Sequence, residues 1–103
     1  MRENKRQYRS RIQIAADIIE IAKNGARKTR IMYLGNLSFD LLQKYLNLLV
    51  KLGLVEIRRG PEKSYTATEK GRRFLEDFYE LQEHSEIVKA KKRALEDSLA
   101  ATA

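Results

Sequence analysis

The chain has 103 residues, which fits one domain with little spare length. Hydrophobic residues make up 43% of it, enough for a small core, and charged residues make up 34%. The net charge of +7 is unevenly placed: residues 1–73 hold 17 Lys/Arg and 7 Asp/Glu, whereas residues 74–103 hold 4 and 7. A basic region followed by an acidic one predicts an electrostatic footprint on the first and a different task for the second.

The residues needed for catalysis or metal binding are scarce. The chain has no cysteine, which excludes disulfides, thiol catalysis and thiolate metal sites. Its one histidine, His84, lies in a charged helical stretch, and we interpret it as a solvated or interface residue. The five glycines are scattered and form no phosphate-cradling loop. We therefore predict a protein that is not an enzyme and that needs no cofactor and no metal.

The termini and hydropathy indicate where the protein acts. No run is long enough to span a bilayer, and no apolar segment follows the polar residues after Met1. We expect a cytoplasmic, nucleoid-associated protein without a membrane partner. Residues 1–9 are polar and basic and are interpreted as a loose arm. Such an arm either reaches along nucleic acid or is simply a frayed terminus.

Two short helices are expected after the arm. The first begins at Ser10 and is expected to end at the Asn24-Gly25 pair, which suits a left-handed conformation. Thr29 is the expected N-cap of the second, which breaks at Gly35. The inner face of the first helix is predicted to contain Ile12, Ala15, Ala16, Ile18, Ile19 and Ala22.

Residues 36–53 are the centre of the pattern. They predict a helix of about four turns, with Ser38 as N-cap and Gly53 at the C′ position. Its apolar stripe comprises Leu41, Leu42, Tyr45, Leu46, Leu48, Leu49 and Leu52. Its opposite face carries the polar residues Asp40, Gln43, Lys44, Asn47 and Lys51. All of these except Asp40 can donate to phosphates or base edges. Taken alone, this helix also fits an ordinary core helix with a solvated face.

The surroundings favour a winged helix-turn-helix over that alternative. A short helix and a tight Gly35 turn precede the longer helix, as in a helix-turn-helix. After it, residues 54–58 and 64–67 predict two strands around the turn residues 59–63. This β-hairpin carries Arg58, Arg59 and Lys63 near its tip. A basic hairpin placed directly after the recognition helix is the wing of such a fold.

The last helix is expected to leave the domain. Thr68 should cap it, and from Arg72 it runs nearly to the C-terminus without Pro or Gly, roughly 40 Å at 1.5 Å per residue. Its residues spaced alternately by four and three form a coiled-coil seam, with Phe78, Ser85, Lys92 and Leu99 at a and Phe74, Leu81, Val88 and Leu95 at d. Without a partner these side chains would face water. The alternative is a single long solvated helix.

The order of charges favours an antiparallel pair. Residues 76–86 are acidic and residues 89–93 are basic, so an antiparallel partner sets acid beside base. The expected layers join Phe74 to Leu99, Phe78 to Leu95, Leu81 to Lys92 and Ser85 to Val88. Each exposed ion pair contributes only a few tenths of a kcal/mol, but several of one sign can select an orientation.

The segments KTRIMYLGNLSFDLLQKYLNLLVKLGLVE and YTATEKGRRFLED carry a family resemblance. The chain, over roughly residues 10–99, resembles the small archaeal winged-helix DNA-binding proteins of the ten-kilodalton, chromatin-associated type, which dimerise through a C-terminal antiparallel coiled coil. The resemblance implies DNA contact through the second helix of the helix-turn-helix and the wing. With Arg30 added, the candidate DNA-binding residues are Arg30, Ser38, Gln43, Lys44, Asn47, Arg58, Arg59 and Lys63.

The sequence therefore predicts a mainly α fold with a small β-hairpin. It comprises a basic arm at residues 1–9, a winged helix-turn-helix domain at residues 10–73 and a helix at residues 74–103 that forms a dimeric antiparallel coiled coil. The expected partners are double-stranded DNA and a second copy of the chain. An architectural protein of low sequence specificity is the leading interpretation; a sequence-specific transcriptional regulator and a protein-interaction module of a transcription or replication assembly are the alternatives.

Overall fold

The computed structural model describes residues 9–101 as four helices and a two-stranded antiparallel hairpin. The expected mainly α fold with a β-hairpin and a long last helix is confirmed. In chain order the elements are α1 (Arg11–Ile21), α2 (Lys28–Gly35), α3 (Phe39–Lys51), β1 (Val55–Arg58), β2 (Ser64–Ala67) and α4 (Glu69–Ala101).

Helix α1 lies at the centre of the domain. Ser10 caps it by accepting a hydrogen bond from the backbone N–H of Gln13. Its inner residues Ile18 and Ile19 are completely buried. Ile12 was predicted on the inner face but is 50% exposed, because it lines an open apolar groove at the edge of the core.

The connection from α1 to α2 differs from the prediction. Helix α1 ends at Ile21, and the left-handed residue is Gly25, with a φ of +96°. Ala26 then exchanges two backbone hydrogen bonds of 2.8 Å with Tyr65 of β2. These bonds hold the chain extended up to Arg27, so the N-cap of α2 is Arg27, and the prediction of Thr29 was wrong.

Helix α3 follows the prediction closely. The hydroxyl of Ser38 accepts from the backbone N–H of Leu41 at 3.2 Å, and Gly53 has a left-handed φ of +79°. The left-handed residue of the preceding turn is Asn36. The buried face of α3 consists of Leu42, Tyr45, Leu46 and Leu49. Leu52 was predicted in this stripe but is 47% exposed.

The hairpin is the predicted wing. Its strands pair in the register Val55 with Ala67 and Arg58 with Ser64, leaving residues 59–63 as the connecting loop. Tyr65 of β2 is buried, and its backbone is the partner of Ala26. The wing is therefore attached to the start of α2 as well as to the end of α3.

Helix α4 begins inside the domain and then leaves it. The Thr68 hydroxyl accepts from the backbone N–H of Gly71 at 3.0 Å and donates to the Gly53 carbonyl at 2.6 Å. Leu75 and Phe78 are buried in the core, whereas every side chain from residue 79 to residue 100 is exposed. With 33 residues, α4 is about 50 Å long, and it gives the molecule its longest extent of 67 Å.

The environments of Phe78 and Arg9 differ from the predictions. Phe78, expected to face water without a partner, is only 9% exposed because it packs on its own domain. Arg9 was assigned to a loose arm, but its guanidinium binds Asp17 at 2.6 Å and the Gly35 carbonyl at 2.9 Å. The rest of the predicted arm, residues 1–8, lies outside the described residues.

Candidate nucleic-acid interface

The outward face of α3 presents an ordered line of polar side chains. Gln43 and Asn47 lie one turn apart, and Gln43 Nε2 donates to Asn47 Oδ1 at 2.9 Å. Lys44 lies beside them and is exposed. These predicted residues therefore share one accessible face, which presents hydrogen-bond donors.

Ser38 has a structural role at the start of that face. Its hydroxyl oxygen is the N-cap acceptor of α3, so the oxygen is engaged with the helix itself. The hydroxyl hydrogen stays available as a donor, because the cap uses only an acceptor lone pair. Ser38 thus presents a hydroxyl donor at the exposed N-terminus of α3.

Lys28 and Phe39 belong to the same surface, although neither was among the predicted residues. Lys28 Nζ donates to Gln43 Oε1 and lies 4.7 Å from the centroid of the Phe39 ring. Phe39, one turn before Gln43, is 56% exposed. Helical spacing could have revealed Phe39, but Lys28 is 15 residues from Gln43 and only the folded turn brings them together.

The wing carries the three predicted cations in different surroundings. Arg59 is exposed in the loop, and Lys63 Nζ lies 5.9 Å from the centroid of the Tyr65 ring. Arg58 Nε is ion-paired with Glu56 at 3.1 Å on the same strand. Arg58 is therefore partly neutralised in the unbound protein, whereas Arg59 and Lys63 provide most of the positive charge of the wing.

The first turn of α2 lies between the recognition face and the wing. Arg27 forms an ion pair of 2.6 Å with Glu62 in the wing loop, and its neighbour Lys28 reaches α3. Beside this turn lies a cleft of about 500 Å³ lined by Asn24, Gly25, Ala26, Arg27, Thr29, Arg30 and Ser64. The predicted residue Arg30 lies in this cleft rather than beside Gln43.

The predicted seam residues of α4 divide into two groups. Phe74 and Phe78 contact the domain core, whereas Leu81, Val88 and Leu95 are 56%, 56% and 67% exposed. Leu99 is 73% exposed. Ser85 and Lys92 are exposed as well.

An apolar groove of the domain continues this seam. It has a volume of about 490 Å³ and is lined mainly by side chains of α1, α3 and α4, including Ile12, Leu48, Leu52 and Phe74. A smaller adjoining groove of about 220 Å³ shares Ile12 and Phe74 and ends at Leu81. The exposed Ile12 and Leu52, which departed from the predicted core, are thus both walls of this groove.

The arrangement of a helix-turn-helix followed by a basic hairpin defines a winged helix-turn-helix protein. Residues 8–86 match the family described as winged helix-turn-helix, and the chain belongs to this family. It is 37% identical over 79 residues to the uncharacterized protein MJ0287 of Methanocaldococcus jannaschii, an alignment that covers 76% of this chain and 78% of the relative.

Two solved structures share the fold. The chain is similar to Sso10a-2, a DNA-binding protein from Sulfolobus solfataricus, with a TM-score of 0.69 and 31% identity over 84% of this chain and 96% of that one. It also resembles NMB1585, a MarR family regulator from Neisseria meningitidis, with a TM-score of 0.59 and 20% identity over 87% and 67%. The second match concerns the fold alone. The resemblance to small archaeal winged-helix proteins is confirmed.

No helix within residues 9–101 is long and apolar enough to cross a membrane.

Proposed function

We propose that this protein is a dimeric, nucleoid-associated, double-stranded DNA-binding protein of architectural type, with low sequence specificity. Helix α3 enters the major groove, and the wing lies against the sugar-phosphate backbone. The observation that carries this proposal is the position of the α2 first turn, which connects the polar face of α3 to the wing through Lys28 and Arg27. One continuous surface then presents donors to bases and cations to phosphates.

The charge distribution supports duplex DNA as the ligand. The net charge of residues 1–73 is +10, and α2, α3 and the wing hold seven of their 17 Lys/Arg residues. Such a surface binds DNA largely by releasing counterions, which gives affinity without sequence information. The similar protein Sso10a-2 is a DNA-binding protein, which agrees with this choice of ligand.

The binding experiment follows from the same physics. The full chain should bind a random duplex at low salt, and the logarithm of its affinity should fall linearly with the logarithm of the salt concentration. A protein-interaction module, the alternative from another class, would not bind the duplex under these conditions. Absence of binding at low salt would therefore overturn the proposal.

The two versions of DNA binding differ in base readout. The ordered amides of Gln43 and Asn47 favour some readout, as a transcriptional regulator requires. Selection of bound sequences from a random duplex pool separates the versions, because a sharp motif indicates a regulator. A nearly flat pool indicates an architectural protein.

The dimer is proposed to form through the exposed seam of α4 and the apolar groove. An antiparallel partner helix that packs on Leu81 and Val88 would direct its C-terminal end toward Phe74, where the groove opens. The partner's Leu99 would then lie against Phe74 and Ile12. This arrangement covers the groove, and it accounts for Phe78 by leaving it in its own domain.

The charges along α4 agree with this orientation. The acidic stretch at residues 76–86 lies next to the domain, and the basic stretch at residues 89–93 lies farther out. In an antiparallel pair each acidic stretch faces the partner's basic stretch, which favours that orientation over the parallel one. Two winged domains would then lie at opposite ends of one rod.

A further inference from the structure

The side chains of Lys28, Gln43 and Asn47 form one hydrogen-bonded chain across the helix-turn-helix. Lys28 Nζ donates to Gln43 Oε1, and Gln43 Nε2 donates to Asn47 Oδ1 at 2.9 Å. The Lys28 ammonium also lies over the ring of Phe39, 4.7 Å from its centroid. The cation–π contact and the hydrogen bond hold Lys28 over α3, with its charge directed along the helix surface.

The donor and acceptor in each of these hydrogen bonds follow from the chemistry of the side chains. A lysine ammonium has donors and no acceptor, so the group of Gln43 that faces it must be the carbonyl. The Gln43 amide nitrogen then points to Asn47 and must meet an acceptor, which is Oδ1. The Asn47 amide is thereby oriented with its carbonyl engaged and its NH₂ donors directed away from Gln43.

This orientation limits what Asn47 can read. An asparagine that recognises adenine uses its carbonyl and its NH₂ together, bonding N6 and N7. Because Oδ1 of Asn47 is turned toward Gln43 and one of its two lone pairs is already used there, the NH₂ donors are the groups that Asn47 presents most readily to a base. The major-groove edges that present acceptors alone are N7 and O6 of guanine and O4 of thymine.

We propose that Lys28 is a positioning residue for base readout, which makes Asn47 select a guanine or thymine acceptor over adenine at one base pair. The inference rests on the proposed function, since it requires α3 in the major groove. It concerns a preference at one position and is compatible with low specificity over the rest of the site. Lys28 itself need not touch the DNA.

The test is selection of bound sequences from a random duplex pool by the full chain and by variants of residue 28. The wild-type protein should disfavour adenine at one position by about threefold to tenfold, the effect expected of one hydrogen bond. Lys28→Met removes the donor, so Gln43 can turn over and release Oδ1 of Asn47, and the bias against adenine should disappear. Lys28→Arg keeps a donor-only side chain and should keep the bias.

Arg30→Met is the matched control, since it removes one positive charge from the exposed surface of the same helix. It should weaken binding to all sequences alike without changing the base preference. The inference is overturned if Lys28→Met behaves like Arg30→Met, or if the wild-type pool is flat at every position. Either result leaves duplex binding intact, whereas a failure of the wild-type protein to bind any duplex would refute the proposed function itself.

Discussion

The backbone of Gly71 passes directly over the carbonyl oxygen of Leu54, so that a Cβ on Gly71 would lie 2.1 Å from that oxygen. This approach brings α4 down onto the start of β1. Because a backbone oxygen cannot move aside as a side chain can, Gly71→Ala should force α4 away from the core. We expect a loss of about 1–3 kcal/mol in the free energy of unfolding, as for other overpacked sites.

Chemical denaturation measures this loss, and Gly60→Ala is its control. Gly60 lies in the wing loop, and a Cβ there meets no atom within 4 Å. That substitution should change stability by less than about 0.5 kcal/mol. Equal stability of the two variants would contradict the close packing of α4 on Leu54.

The contact between α1 and α4 should depend on pH. The Tyr79 phenol donates to the Glu20 carboxylate. That hydrogen bond, with burial and the negative charges of Glu20 and Asp17, raises the pKa of Tyr79 from 10.0 to about 12. Because the pKa of Tyr79 is higher in the folded protein than in the unfolded chain, the phenol stabilises the fold. This stabilisation is fully present below the unfolded-state pKa and is lost as the pH rises through the folded-state pKa.

The measurement is the difference in unfolding free energy between the wild type and Tyr79→Phe. The difference should be fully present near neutral pH and should shrink between pH 10 and about 12. Lysine titration affects both proteins and cancels in the difference. A difference that stays constant across that window would show that the phenol is not bonded to Glu20 in solution.

The two faces of α3 should respond oppositely to alanine. Leu46 is 1% exposed, so Leu46→Ala should leave a cavity and cost about 2–5 kcal/mol. Asn47→Ala, on the next residue, should change stability by less than about 0.5 kcal/mol and should instead alter DNA affinity or base preference. Thermal unfolding and duplex titration of both variants separate these effects, and the reverse pattern would mean that the helix is rotated.

The wing should contribute to the salt dependence of binding. Replacing Arg58, Arg59 and Lys63 together by Ala should reduce the slope of log K against log salt by roughly two to three. Because Arg58 is already paired with Glu56, the reduction should lie nearer two. Replacing Glu69 and Glu76 of α4 together by Ala is the control for changes of charge outside the wing. An unchanged slope in the triple variant would remove the wing from the interface.

Association through α4 should be lost when charge enters the seam. Leu81→Asp with Val88→Asp should give a monomer in sedimentation while the winged domain stays folded, since both side chains lie beyond the core. DNA binding should weaken through lost avidity. Ala90→Asp with Ala94→Asp adds two charges away from the seam and should remain dimeric. A wild-type protein that sediments as a monomer at tens of micromolar would refute the dimer proposal.

Local signals in the sequence were sufficient for much of the fold. Ser38, Gly53 and Thr68 were recognisable because a cap depends on residues within one turn. The start of α2 was not recognisable, because it depends on the bond between Ala26 and Tyr65, which are 39 residues apart. The local preference of Thr29 for an N-cap was overridden by that distant pairing.

The candidate site shows the same division. The polar face of α3 follows from helical spacing, so Gln43, Lys44 and Asn47 could be selected without a structure. The role of Lys28 could not, because it arises from the angle between α2 and α3. Phe78 was assigned to the seam because its heptad position is apolar, although it also lies where α4 still contacts the domain.

The exposed half of α4 also makes the stability of one helix uneven along its length. Amides up to residue 78 are held by a packed core, so their exchange with solvent requires opening of the domain. Amides beyond residue 79 are held in one protomer mainly by the hydrogen bonds of the helix, and helices that rely on these alone are marginal in water. If α4 pairs with a second copy as proposed, exchange in this segment should slow as the protein concentration rises, so association can be measured within a single helix.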